Sequence, residues 1–136
     1  MNIKLHELLS LYYELNGVVK TTDGQSDVIS QGILKQKMSL KVKIYLQRLN
    51  KIVSEEFNLF EDAKKELFEK YGERENDSFF IKKENEELFR KELEEILSAD
   101  KTIDIYALWS SDLTLDNLAS IETDEYYPIL FKLIDK

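Results

Sequence analysis

The sequence predicts a mainly α fold of the α+β kind: one long central helix packed by shorter helices, with a small two-stranded β element. Three observations predict it. Between residues 39 and 71 apolar side chains recur at intervals of three and four, the period of one helix face. The 136 residues hold only four glycines and one proline, too few for a loop-rich chain. Short β-branched and aromatic runs, such as TIDIYALW, interrupt the helical pattern and read as strands.

The first element is an amphipathic helix over residues 3 to 15. Ile3, Leu5, Leu8, Leu9, Tyr12 and Leu15 share one side, and Asn16-Gly17 supplies the stop. VVKTT and QSDVIS then flank Asp23-Gly24. Residues 18 to 31 form either a hairpin closed by a two-residue turn or a polar loop, in both cases as an insertion.

The long helix runs from Ser39 to Gly72. Val42, Leu46, Leu49, Val53, Phe57, Phe60, Ala63, Leu67 and Tyr71 make its stripe, which Leu40, Tyr45, Ile52 and Phe68 widen. Ser39 can accept from a first-turn amide, and Gly72 can take the left-handed conformation that ends a helix. At 1.5 Å per residue the rod is about 50 Å long, so something must cover its far end. The carboxylates of FNLFEDAKKELFEKYGE, residues 57 to 73, fall opposite the stripe. Glu61–Lys65, Lys65–Glu69 and Glu66–Lys70 have the four-residue spacing that stabilises an exposed face by a few tenths of a kcal/mol each.

GERENDS, residues 72 to 78, reads as a polar break and FFI as a short strand able to pair with TIDIYALW. ENEELFRKELEEILS is a second amphipathic helix, with Leu88, Phe89, Leu93, Ile96 and Leu97 inward and Glu86–Arg90 and Glu87–Lys91 paired outward. Thr114 and Thr123 have the character of N-caps for two short final helices, and Pro128 fits only near the first turn of the second. No repeat or linker divides the chain, so residues 1 to 136 are expected to form a single domain.

Several chemistries are excluded or disfavoured. Without cysteine there is no disulfide, thiolate ligand or cysteine nucleophile. His6 is the single histidine and lacks a fixed partner in sequence, so it reads as structural or exposed. Asp23-Gly24-Gln25-Ser26-Asp27 lacks the ligand alternation and terminal Glu of an EF-hand, and no Glu-x-x-His motif marks a di-metal bundle. GxxxxGK[ST], GxGxxG and GxSxG are all missing. The aromatic residues Tyr106, Trp109, Tyr126, Tyr127 and Phe131 have no basic residues interleaved and read as core. The chain is therefore expected to be non-enzymatic, with no catalytic residues, no cofactor and no metal; an overlooked enzyme would need a pocket around His6 or Glu84.

Charge distribution carries the functional signal. The net charge of -8 argues against direct binding of nucleic acid, whose backbone is gripped by Lys and Arg. No stretch approaches the ~18 apolar residues of a membrane span, and the N-terminus lacks an uninterrupted apolar centre, so a cytoplasmic location is expected. Yet residues 28 to 54 contain Lys35, Lys37, Lys41, Lys43, Arg48 and Lys51 and no acid. Lys41 and Lys43 lie in the first turn of the long helix, where the macrodipole disfavours cations by about 0.3–1 kcal/mol each. They either face the chain's own acidic helix over residues 84 to 95, the reading slightly preferred, or meet an external acidic partner.

LKQKMSLKVKIYLQRLNKIVSEEFNLFEDAKKELFEKYGE, the short strand, ENEELFRKELEEILS and the closing TLDNLASI…LFKLI together resemble a group of small uncharacterised proteins encoded by tailed bacteriophages. The shared features are a lysine-marked helix start, an acid followed by an aromatic, an EDAKKEL-like turn and KYGE. The resemblance covers roughly residues 30 to 135 and omits DGQSD. It implies phage origin, in the cytoplasm of the bacterial host or in the virion, and it carries no activity or active residue.

The expected function is a protein-binding module, self-associating or docking a phage or host protein through the long helix. Lys41, Lys43, Arg48 and Lys51 at one end, and Phe57, Phe60 and Tyr71 along the stripe, are its candidate contacts. The alternative is an acidic inhibitor of a host nucleic-acid-binding or defence enzyme, with carboxylates of residues 84 to 95 occupying a basic cleft.

Overall fold

The computed structural model describes residues 2–22, 24–75, 78–104 and 127–134, together with Leu108, Leu113, Asn117 and Ile121. In chain order the elements are β1 (Asn2–Lys4), α1 (Leu5–Asn16), β2 (Val18–Thr22), β3 (Gln25–Ser30), α2 (Leu40–Tyr71), β4 (Gly72–Glu75), β5 (Ser78–Ile81), α3 (Glu86–Leu97), β6 (Asp100–Thr102) and α4 (Pro128–Ile134). The fold is mainly α, built on a long central helix, with small two-stranded sheets between the helices.

α2 is the continuous rod that its periodicity predicts, 32 residues and about 48 Å long. Ser39 Oγ accepts from the Val42 amide at 3.3 Å and caps it. Its other end differs from expectation. Gly72 is extended (φ -100, ψ 166) rather than left-handed, and its amide donates to the Phe68 carbonyl, so the chain passes directly from α2 into β4.

The buried residues of α2 fall into two groups. Val42, Leu46, Leu49 and Val53 enter the main core with Leu8, Leu11 and Leu15 of α1, with Ile33, and with Tyr127, Leu130 and Leu133. Phe60 and Leu67 lie beyond that core, on the half of α2 where α3 packs. The far end of the rod is thus covered by its own chain: Phe68 meets Phe89 of α3 at 5.1 Å between ring centres.

α1 begins at Leu5, because Ile3 is taken into β1. Its buried stripe is Leu8, Leu11 and Leu15, so Leu11 belongs to the face and Leu9 only borders it. α1 runs antiparallel to α2: Tyr12 stacks on Phe57 with ring centres 3.8 Å apart, and Asn16 exchanges amide hydrogen bonds with Asn50 at 2.8 and 3.2 Å.

The strands correct the expected pairing. FFI is a strand, but the supposed polar break is its partner: Glu73 pairs Phe80 and Gly72 pairs Ile81 in a hairpin. Local pairing wins because closing a short loop costs less chain entropy than reaching a strand some twenty residues on. TIDIYALW is not a strand as a unit. Thr102 ends β6, Ile103 and Asp104 are irregular, Leu108 is helical, and residues 105–107 and 109 lie outside the described residues. β6 instead pairs with β1, Asn2 with Thr102 and Lys4 with Asp100. Helix α1 takes over at Leu5, so that ladder ends after three rows.

Residues 18 to 30 form the hairpin alternative, Thr22 pairing with Gln25; Asp23 of the expected two-residue turn lies outside the described residues. α4 starts at Pro128, as the missing proline amide predicts. Tyr127 is fully buried and Phe131 half-buried, in keeping with core roles. Thr114, Thr123, Tyr106, Trp109 and Tyr126 lie outside the described residues.

Candidate docking surface

Helix periodicity decides what the basic end of α2 presents. Val42, Leu46, Leu49 and Val53 point into the core, which leaves Leu40, Ile44, Gln47 and Lys51, spaced four, three and four, on the opposite side. Leu40 is 77% and Ile44 49% exposed. One exposed leucine is ordinary, but two adjacent apolar side chains on a helix's outer face, ringed by cations, are not explained by folding.

Lys41 and Lys51 are exposed and Lys43 half-buried, and none of the three joins an ion pair among the described residues. The internal pairing expected with residues 84 to 95 does not form. α3 packs on the other half of α2, where Lys70 Nζ donates to Glu92 Oε1 at 3.1 Å, and about 20 residues of helix, roughly 30 Å, separate it from Lys43. Arg48 is turned partly to internal use. Its Nη1 donates to the Leu108 carbonyl at 3.2 Å while its guanidinium lies 5.6 Å from the Tyr45 ring centre.

The aromatic half of the expected contact set is occupied within the chain. Phe57 is sandwiched with Tyr12, and Tyr13 meets its edge. Phe60 is buried, with Lys64 Nζ 5.8 Å from its ring centre. Tyr71 is half-buried beside Lys70, and its carbonyl accepts from Asn85 at 3.4 Å. The outward ion pairs are also rearranged. Glu61 bonds Lys64 at 3.4 Å, three residues on, and Lys70 crosses to α3 instead of pairing Glu66.

A second surface was not read from sequence. Between α2 and α3 lies a groove of about 340 Å³ with Ala63, Leu67 and Ile96 as its apolar floor and Glu66 and Glu95 on its walls. The Lys70–Glu92 pair lies at its edge; hydrogen bonding to Glu92, then to Tyr71, holds the Lys70 ammonium above its ordinary pKa. Ala63 was the available signal: a small side chain in a stripe of bulky ones leaves space where two helices cross. Beside the groove on α3, Leu88 is 53% exposed rather than inward.

A second depression, of about 330 Å³, is lined by Tyr13, Glu14, Val18 and Tyr127 among others. Glu14 is already committed there, accepting from the Ile129 and Leu130 amides at the start of α4. Burial raises its pKa, and these two hydrogen bonds only partly offset the shift. His6 and Glu84 are both exposed and line none of these depressions. Among the described residues no three His, Asp or Glu side chains are grouped to hold a metal ion, and no helix is long and apolar enough to cross a membrane.

No protein-family model matches the chain, and no curated protein or solved structure matches it either.

Proposed function

We propose that the protein is a non-enzymatic, phage-encoded protein-binding module that docks through the outer face of the first half of α2. The phage assignment rests on the sequence resemblance alone, and the module acts in the host cytoplasm or in the virion. One observation carries the docking: Leu40 and Ile44 stand exposed opposite the core, with Lys41, Lys43 and Lys51 around them, and none of these three lysines joins an ion pair among the described residues. Cations in the first turn of a helix oppose its macrodipole, so local stability does not account for them, whereas an acidic partner surface does.

The inhibitor alternative draws less support. Glu84, Glu86, Glu87 and Glu94 are exposed on or beside α3, but Lys83, Arg90 and Lys91 are interspersed among them, which breaks up a nucleic-acid-like field.

A photo-crosslinking residue at Ile44, expressed in the bacterial host, tests the reading, with the same residue at Glu87, exposed near the start of α3 and outside the lining of the α2–α3 groove, as control. A defined adduct from position 44 and none from position 87 is the expected result. Equal labelling from both positions, or none from either, would overturn it.

A further inference from the structure

We infer that the partner of this face is a second copy of the chain, received in the groove between α2 and α3. The inference rests on the docking reading above and adds the occupant. The two surfaces match in chemistry. The donor face offers two aliphatic side chains, Leu40 and Ile44, flanked by Lys41 and Lys43. The groove offers an aliphatic floor of Ala63, Leu67 and Ile96 between the carboxylates of Glu66 and Glu95. Lys70 also lines the groove, but it is taken up by Glu92, whereas Glu66 and Glu95 are exposed and, like Lys41 and Lys43, join no ion pair among the described residues.

Geometry fixes how the copies are related. The groove and the face lie about 30 to 40 Å apart along one continuous helix, which prevents a molecule from filling its own groove. At about 100° per residue the groove opens roughly a quarter-turn around α2 from the Leu40–Ile44 stripe. A copy seated in the groove therefore does not present its own groove to the first molecule's face. The contact is heterologous, head to tail, and each added copy leaves one donor face and one groove open. Assembly then grows with concentration and, being driven partly by exposed charge, weakens with salt.

Light scattering over a concentration series of the purified chain, with two variants, is the test. Ile44→Glu disables the face, and the double change Glu66→Lys with Glu95→Lys disables the groove; all three positions are solvent-exposed, and circular dichroism checks that each variant keeps its helices. The expected result is a wild-type mass that rises with concentration, two variants that each remain monomeric, and an equimolar mixture of the variants that stops at a dimer. A wild type that stays monomeric, a closed dimer that does not grow, or an assembly indifferent to both variants would overturn the inference. A monomeric wild type whose position 44 still crosslinks a different protein in host cells would remove this inference alone, while loss of the cellular adduct would remove the docking reading itself.

Discussion

Glu14 caps Leu130: the carboxylate of one helix, 3.1 Å from the Leu130 amide and 3.1 and 3.2 Å from that of Ile129, satisfies the first turn of another helix 116 residues away in sequence. α4 begins with Pro128, which has no amide, so Ile129 and Leu130 carry the free donors of that turn. Such a cap is normally supplied by the residue just before the helix. Here it comes from across the core and ties both ends of the described chain together.

Glu14→Ala is expected to cost about 1–2 kcal/mol, the loss of an N-cap, with a further contribution from donors left half-buried. Glu14→Gln keeps an acceptor oxygen in place and is expected to cost less than half as much. Urea denaturation of the two variants checks the order; an alanine variant as stable as wild type would mean that the cap contributes nothing.

Glu7 and Glu14 give stability opposite dependences on pH. Burial raises Glu7, but hydrogen bonds from Lys132 and the Lys4 amide, with the attraction of Lys132, outweigh it and leave its pKa below 4.5. Its stabilisation is present above pH 4.5 and is lost as pH falls through the lowered native value. Glu14 is raised above 4.5, so the native state holds its proton longer than the unfolded chain, and stability declines as pH rises through the native value. Glu7→Gln should therefore flatten the stability profile below pH 4.5 and Glu14→Gln above it. Urea midpoints measured across pH 3 to 7 read both; slopes unchanged by either variant would contradict the assignment.

At the root of the β2–β3 hairpin, Gly17 (φ 91) and Gly32 (φ 81) bring their backbones together. A Cβ on Gly32 would meet the Gly17 nitrogen, the Asn16 carbonyl carbon and the Leu15 oxygen, all main-chain atoms that cannot step aside. Gly32→Ala is expected to cost more than about 2 kcal/mol, from left-handed strain plus this approach. Because the ends already touch, replacing residues 18 to 31 by two glycines should leave the helices intact and shift the melting temperature by only a few degrees. A deletion that fails to fold while Gly32→Ala is silent would show that the hairpin, and not its root, supports the core.

Legibility followed the range of the physics. α2 was readable over its whole length because a three-four repeat sustained for eight turns admits one interpretation, and Ser39 marked its start through local hydrogen bonding. The conformation at Gly72 is not legible in sequence because glycine permits the left-handed state without requiring it, and β4 needs extended backbone there. The β1–β6 pairing and the Glu14 cap join residues about a hundred positions apart and left no local pattern. The candidate surface was half legible. Lys41, Lys43 and Lys51 stood out by charge, whereas Phe57 and Phe60 carry the same apolar signal whether the chain covers them or a partner does. By apolar periodicity Leu40 widens the stripe, yet its place opposite Val42 and Leu49 puts it outside.

The half of α2 beyond Val53 is held differently from the rest, and this sets where the molecule opens. α3 has no fully buried residue: Phe89, Leu93, Ile96 and Leu97 are all half-exposed, so its attachment rests on partial apolar burial, the Phe68–Phe89 contact and the exposed Lys70–Glu92 pair. The core around Leu8, Leu11 and Leu46, by contrast, is closed to solvent. Amides of α3 should exchange with deuterium far faster than those of Leu8 to Leu15, reporting an opening that leaves the core folded. Phe89→Ala, which removes an aromatic pair of about 1 kcal/mol together with its partial burial, is expected to raise exchange in α3 roughly tenfold and to leave α1 unchanged. Leu46→Ala is expected to cost about 2–5 kcal/mol and to raise exchange throughout. If α3 instead proves as protected as α1, or if Phe89→Ala accelerates both equally, the two halves of the rod unfold as one unit, and the groove between α2 and α3 is as rigid as the core.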